Sequence, residues 1–245
     1  MALQTGAVDA AGLPPCATQS LGAFLELTHI FPELLQTPVG SRWLDVRHFR
    51  RFLTHRETAW FLDGPNSCGF IPVSSLVSSH LVWTETINRL KRLSVNAGFS
   101  SDHSGKFVAA IGELWSNVID HSQRSDTGYI AFSHEPGRFE FVVADRGVGV
   151  LASLKSNPAY ANLNDHGRAI ELVLSEGVSR FYTEDGHGYG FRPLFVGLAN
   201  IAQNLRFRSG DHAREIVRTA DGPPESRTYE LAPLPGFLCS VTCAV

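Results

Sequence analysis

The sequence predicts an α+β fold, and three observations carry that expectation. Apolar residues recur at helical spacing through Phe107, Val108, Ile111, Leu114, Trp115 and Val118. Two β-rich segments, Tyr129 to Phe132 and Phe139 to Ala144, flank Glu135-Pro136-Gly137 as the strands of an antiparallel hairpin flank their turn. Three further strand-like segments, Leu205 to Ser209, Glu215 to Thr219 and Arg227 to Leu231, close the chain after a second helical pattern. With 245 residues, 43% of them hydrophobic and 10% aromatic, the chain is long enough to bury a core as one domain plus an annex, which excludes disorder and coiled coil.

Taken in order, residues 1–20 are rich in Ala, Gly, Pro, Ser and Thr without apolar periodicity and read as a flexible arm. Residues 21–97 read as a small α/β region. Its apolar clusters, Phe24 to Leu27, Trp43 to Val46, Ala59 to Leu62 and Phe70 to Val73, alternate with breakers such as Asp63-Gly64-Pro65, and Ser78 to Leu93 has helical character. From residue 98 the pattern sharpens: Ser104 is placed to cap a helix that continues to about Ser122. The second hairpin strand runs straight into Asp145-Arg146-Gly147-Val148-Gly149. Gly186-His187-Gly188-Tyr189-Gly190 opens the second helical pattern, through Leu194, Leu198, Ile201 and Leu205. Asp221-Gly222-Pro223-Pro224 reads as a turn, residues 98–235 as the main domain and residues 236–245 as a C-terminal tail. There is no internal repeat.

Charge and composition narrow the function classes. Twenty-one Lys and Arg against 24 Asp and Glu give a net charge of −3, without the basic excess that phosphate-backbone binding needs, so nucleic acid is not an expected partner. No stretch approaches the roughly 18 apolar residues of a membrane span. The first charged residue is the acidic Asp9, unlike the head of a signal peptide; Leu13-Pro14-Pro15-Cys16 lacks the apolar run that would precede a lipoprotein site. Cys16, Cys68, Cys239 and Cys243 fit neither a disulfide framework nor paired zinc spacing. A soluble cytoplasmic protein with reduced thiols is expected.

Three motifs can carry chemistry. Glu113, Asn117, Asp120 and His121 fall at offsets 0, 4, 7 and 8, near one face of an otherwise apolar helix. Such a stripe can be a solvated face, but a carboxylate can act as a general base and an Asn one turn on offers an oxygen to a hard cation such as Mg²⁺. Asp145-x-Gly147-x-Gly149 follows a strand of small and β-branched residues; it is either a plain turn or a carboxylate that accepts from a ligand amine beside backbone a ligand can approach closely. Gly186, Gly188 and Gly190 precede a helix, where free N–H groups and the positive end of the helix dipole suit phosphate oxygens, the alternative being a glycine-rich surface loop. Neither a dinucleotide fingerprint nor a Walker phosphate loop is present, since Phe191 or Pro193 stands where a third glycine is required and no Gly-Lys-Ser/Thr occurs.

Order and context together make these motifs specific. Glu113-x-x-x-Asn117-x-x-x-His121 on a helix, Asp145-x-Gly147-x-Gly149 after a strand, Gly186-x-Gly188-x-Gly190 before a helix and Thr228 on a late strand resemble the GHKL superfamily of histidine kinase-like ATPases, over roughly residues 98–233. The Glu113-to-Ser122 segment is most similar to stand-alone anti-sigma-factor-type bacterial proteins. The resemblance implies a two-layer α/β sandwich, a mixed and mainly antiparallel sheet covered on one face by helices. It implies ATP and Mg²⁺ as cofactors: Asn117 coordinating the metal, Asp145 reading the adenine amino group, Gly147 and Gly149 beside the base, Thr228 supporting it through water, Gly186, Gly188 and Gly190 enclosing the phosphates, Glu113 as polarising base and His121 lining the same face. Residues 150–185 would then form a mobile ATP lid. The implied function is regulatory, an ATPase or Ser/Thr kinase acting on a STAS-like or sigma-factor-like partner, with a homodimer as an allowed assembly; the alternative is a non-catalytic, ATP-dependent interaction switch.

The sequence also departs from the pattern. None of the ten histidines has the basic, Pro-containing setting of an autophosphorylated histidine. Tyr189 and Phe191-Arg192-Pro193 replace the small and leucine residues typical of the last glycine box. Ala59 to Asp63 followed by Phe70 to Leu76 is similar to the strand, turn and helix of STAS-like domains, or is an ordinary strand and helix added to the ATPase core. A metal-dependent hydrolase built on Asp120, His121 and His187 is the weakest rival, since no His-Glu-x-x-His occurs.

Overall fold

The computed structural model describes residues 20–36, 47–63, 65–77, 79–176, 196–219 and 222–245. Six strands form one open sheet: β1 Ala59–Asp63, β2 Asn66–Pro72, β3 Tyr129–Glu135, β4 Arg138–Asp145, β5 Asn204–Val217 and β6 Glu225–Ala244. Their order is β1-β2-β3-β4-β6-β5, and every pairing is antiparallel. The helices are α1 Leu21–Ile30, α2 Arg47–His55, α3 Val73–Val77, α4 His80–Asn96, α5 Ser101–His121, α6 Gly149–Lys155 and α7 His166–Glu171. The fold is the expected α+β sandwich. Among the described residues no helix is long and apolar enough to cross a membrane.

The side-chain alternation of the strands separates two cores. Phe139, Phe141 and Val143 of β4 join Phe107, Ile111, Leu114 and Val118 of α5 on one face. Val142 and Ala144 join Leu21, Phe24 and Leu25 of α1 and Phe49 and Phe52 of α2 on the other. The sandwich of α4 and α5 on the sheet thus has a second helical cover on its far face. That cover is partly ionic: Glu26 of α1 meets Arg206 in a two-pronged pair (Nε to Oε2 2.6 Å, Nη2 to Oε1 2.9 Å) and Arg208 Nε at 3.0 Å. Arg208 is fully buried, and its Nη2 donates to the Ala232 carbonyl at 2.5 Å.

Several boundaries differ from expectation for identifiable reasons. Serine 100, not Ser104, caps α5: Ser100 Oγ accepts from His103 N at 3.1 Å, while Ser104 is buried one turn inside. Leu205 to Ser209 and Glu215 to Thr219 are not two strands; β5 runs through both, with a register irregularity at Ser209, Gly210 and His212. Residues 237–244, expected as a tail, are the inner half of β6, paired with β4 from Asp145↔Phe237 to Arg138↔Ala244. Phe237, Cys239, Val241 and Cys243 point into the α5 core, a period-2 pattern that Pro233, Pro235 and Gly236 obscure in the sequence. The hairpin β1–β2 extends the same sheet through β2–β3 pairs such as Phe70↔Ala131, so the N-terminal region shares the main core.

Up to residue 176, the segment expected as a mobile lid contains the short helices α6 and α7, joined by turns and a single 3-10 turn. Leu154, Ala169 and Leu172 form a small core of their own. Two caps initiate its short elements: Asn157 Oδ1 accepts from Ala159 N at 3.0 Å, and Asp165 Oδ1 from Arg168 N at 2.6 Å. The second helical pattern falls largely outside the described residues. Its described part is helical over 196–199, and Leu205 belongs to β5.

Candidate functional site

Helix α5 buries Phe107, Ala110, Ile111, Leu114 and Val118 against the sheet. The stripe beside that face holds Glu113, Asn117 and His121 half-buried at successive i, i+4 positions, while Asp120 is exposed. Burial, reinforced by the charge of Asp120, holds the Glu113 carboxyl above the usual carboxylate range, the direction a general base requires. The Asn117 Nδ2 is buried and has no hydrogen-bond partner among the described residues, so its carboxamide is a polar group left for a ligand to satisfy. His121 Nδ1 lies 3.4 Å from Ser153 Oγ on α6, and Ser116 Oγ donates to Asp120 Oδ2 at 3.0 Å.

Asp145 ends β4 on the same side of the sheet as α5, because it shares the parity of Phe139, Phe141 and Val143. It is 3% exposed. Burial pushes its carboxyl up to about 6, opposed by a hydrogen bond from the Gly147 N–H to Oδ1 at 2.7 Å. The loop that follows is packed on the end of α5: Val148 N donates to the Ser122 carbonyl at 3.0 Å. A Cβ at Gly147 would fall 2.1 Å from that same oxygen, so only glycine allows the approach. The α5 stripe and the Asp145 loop, 24 residues apart at Asp145 and His121 in sequence terms, are therefore joined at one end of the sheet.

A second set of contacts locks this loop from beneath. Gly236, at φ +77, lies so close that a Cβ there would be 2.2 Å from the Asp145 carbonyl. Ser209 Oγ donates to the Gly236 carbonyl and accepts from Val150 N, both at 2.9 Å. Thr127 Oγ1 accepts from Arg146 N, also at 2.9 Å. None of Ser209, Gly236, Thr127 and Ser122 was singled out as a site residue by sequence reasoning. The one signal for them was Gly236 after Pro235, a glycine that interrupts an otherwise strand-like run.

Of the remaining expected contributions, Thr228 is placed elsewhere and the glycine-rich stretch is not among the described residues. Thr228 stands nine residues along β6 from Phe237, the partner of Asp145, a separation of about 30 Å in extended chain. Its hydroxyl accepts from Arg214 Nη1 at 2.9 Å, so the structure assigns it to the outer arm of the β5–β6 pair. Gly186, Gly188 and Gly190, with His187, lie outside the described residues. Among the described residues no group of three or more His, Cys, Asp or Glu could hold a metal ion.

The residues present do fit a nucleotide. A buried carboxyl with raised affinity for a proton suits an amine donor, the glycine-lined backbone permits close approach, and the unsatisfied Asn117 amide stands one turn from the half-buried Glu113 on α5. Comparison with known proteins agrees. Residues 83–175 match the family model described as a histidine kinase-like ATPase domain. No curated protein and no solved structure matches the chain. The matched segment runs from α4 into the turn after α7 and contains Glu113, Asn117, His121 and the whole Asp145-to-Gly149 loop, whereas Thr228 and Gly186 to Gly190 lie beyond it. Over residues 83–175 the chain is similar to the histidine kinase-like ATPase domain, a match that supports membership of the GHKL superfamily and a general ATP-binding function.

Proposed function

We propose that this protein is a cytoplasmic Mg-ATP-dependent regulator that acts on a partner protein as an ATPase or Ser/Thr protein kinase, in the manner of anti-sigma factors. The observation that carries the reading is the meeting of two groups of different chemistry on one side of the sheet. A buried adenine-reading carboxyl, Asp145, stands at the end of β4, and the half-buried Glu113 and Asn117 stand on α5. Asp145 accepts the exocyclic amine of adenine, and Gly147 leaves room for the base. Asn117 and its neighbours hold the metal-bound triphosphate, and bound Mg²⁺ supplies neutralising charge to the phosphates. Glu113, with its raised proton affinity, takes the proton of a water or of a partner hydroxyl. Gly186, Gly188 and Gly190 close over the phosphates, and His121 lines the same face.

The test is Glu113→Gln in the full chain, read by ATP affinity and by turnover with and without a candidate partner. The expected result is retained ATP affinity with turnover lowered by about a hundredfold or more, the usual contribution of a general base. Turnover unchanged by the substitution would remove Glu113 from the chemistry. ATP-dependent partner binding without any turnover in the wild type would identify a nucleotide-operated switch instead of an enzyme.

A further inference from the structure

Strand β4 carries more than Asp145. Its alternate side chains face α1, and one of them, Glu140, together with Arg146 just past the strand's end, holds that helix by its two ends. Glu140 Oε2 accepts from Leu21 N, the first N–H of α1, at 2.7 Å. Arg146 Nη1 donates to the carbonyl of His29, in the last turn, at 2.8 Å. An anion thus meets the positive end of the helix dipole and a cation the negative end, each satisfying a backbone group that the helix itself leaves unpaired. Helix α1 consequently lies along β4 in the same direction, its ten residues covering about 15 Å of the strand.

The C-terminal turn of α1 has a second tie, and it leads to the same loop. His29, 3% exposed, donates from Nε2 to the Pro235 carbonyl at 2.8 Å. The next residue is Gly236, where a Cβ would run into the Asp145 carbonyl and Gly147 N, and whose carbonyl is held by Ser209. Arg146, His29, Pro235, Gly236 and Asp145 close a ring of contacts around the end of β4. Asp145 opens from that ring toward α5, and Arg146, one residue on, reaches α1 on the opposite face.

We infer that α1 supports the nucleotide-reading loop, with Arg146 and His29 as positioning residues, so that the seating of α1 on the sheet and the affinity for adenine nucleotide are energetically coupled. The inference rests on the reading of Asp145 as the adenine-binding carboxylate. Its physical basis is that displacing the end of α1 breaks a charged hydrogen bond to Arg146 and a buried one to Pro235. Both flank the backbone that sets Asp145, and a loop packed with glycines at contact distance has no slack to absorb the shift. Linkage makes the effect reciprocal: whatever lifts α1 weakens nucleotide, and nucleotide clamps α1.

The experiment uses the full chain and titrates ATP with MgCl₂ by calorimetry into wild type, Arg146→Ala, His29→Leu, His29→Gln and Phe139→Leu, with amide hydrogen exchange of residues 24–31 followed with and without ATP. Arg146→Ala and His29→Leu should each bind ATP about tenfold more weakly. His29→Gln, whose side-chain amide can donate to Pro235, should recover most of the loss. Phe139→Leu lowers stability from the far end of β4 and should leave affinity as it was. ATP should slow exchange in α1 of the wild type and not of Arg146→Ala, which keeps the test open if His29→Leu does not fold. Equal ATP affinity in wild type, Arg146→Ala and His29→Leu overturns the inference, as does a loss in Phe139→Leu that matches theirs. A wild type that binds no ATP overturns the nucleotide reading itself, and this inference with it.

Discussion

Replacing Asp145 by Asn should change stability in a way that depends on pH and nucleotide binding in a way that does not. The carboxyl is buried at the end of β4, and its affinity for a proton rises from an ordinary 3.8 to about 6. An acid whose folded value is raised costs stability when ionised: the cost is absent below 3.8, grows through the interval and is complete above about 6. At about 1.4 kcal/mol per pH unit, the displacement amounts to about 3 kcal/mol at pH 7.5. Asparagine keeps the oxygen that accepts from Gly147 N and never ionises, but it adds an NH₂ group whose burial costs about 1–3 kcal/mol at any pH. The absolute effect at one pH is therefore a small difference of two terms. The change in that effect between pH 7.5 and pH 4 is not, because the NH₂ cost cancels, and it should be about 2.4 kcal/mol, with Asn more favourable at the higher pH. Urea denaturation of both proteins at the two pH values measures it. A difference between wild type and variant that stays constant with pH would refute the claim that Asp145 sits buried and destabilised when charged. In a nucleotide site that stored cost has a use, since an amine donor offsets it on binding.

The remaining perturbations probe other parts of the account. Burial holds His29 down to about 4 from 6.5, so the folded state binds fewer protons than the unfolded state between those values, and stability should fall by about 3 kcal/mol as pH drops through the window. Asp145 acts with the opposite sign over most of the same range, so wild type should be nearly flat there while Asp145→Asn loses stability steeply on acidification; a flat variant would contradict the assignment of His29. Gly147→Ala drives a Cβ to 2.1 Å from the Ser122 carbonyl and should cost about 3 kcal/mol or more by chemical denaturation, with adenine nucleotide binding lost; an unchanged midpoint would mean the loop and α5 are not in contact. Glu26→Ala leaves Arg206 and the fully buried Arg208 without their shared carboxylate and should cost about 3–5 kcal/mol, an effect that a neutral result in thermal melts would contradict.

The parts of this molecule that could be read from the sequence are those in which one local pattern maps to one local structure. The 3.6-residue recurrence of Phe107, Ile111, Leu114 and Val118 fixes both the helix and the face it buries, and therefore the half-buried edge where Glu113, Asn117 and His121 stand. The alternation of β4 likewise puts Asp145 on the α5 side. What stayed hidden depends on partners remote in sequence. The last eight paired residues of β6 look like a tail because their ladder partners in β4 and β5 lie far upstream. Helix α1 resists reading because its anchors, Glu140, Arg146 and Arg206, are more than a hundred residues away. The short helices after Gly149 are not legible because elements of six or seven residues show too few turns for a period to register, although Asn157 and Asp165 are recognisable caps. Thr228 was assigned to the base by family resemblance, which carries no information on how far an extended β5–β6 arm carries a residue from the sheet.

The central claim is that Asp145 and the α5 stripe form one adenine nucleotide site, and calorimetric titration of Mg-ATP and of Mg-GTP into the full chain, with Asp145→Asn and Asn117→Ala beside it, tests it most directly. Adenine offers an amine where guanine offers a carbonyl oxygen, which would face the Asp145 carboxylate. The expected result is therefore binding of ATP with GTP weaker by about a hundredfold or more, loss of that preference in Asp145→Asn, and loss of the Mg²⁺ dependence of binding in Asn117→Ala. Equal binding of the two nucleotides, or a preference for ATP that survives Asp145→Asn, would contradict the account.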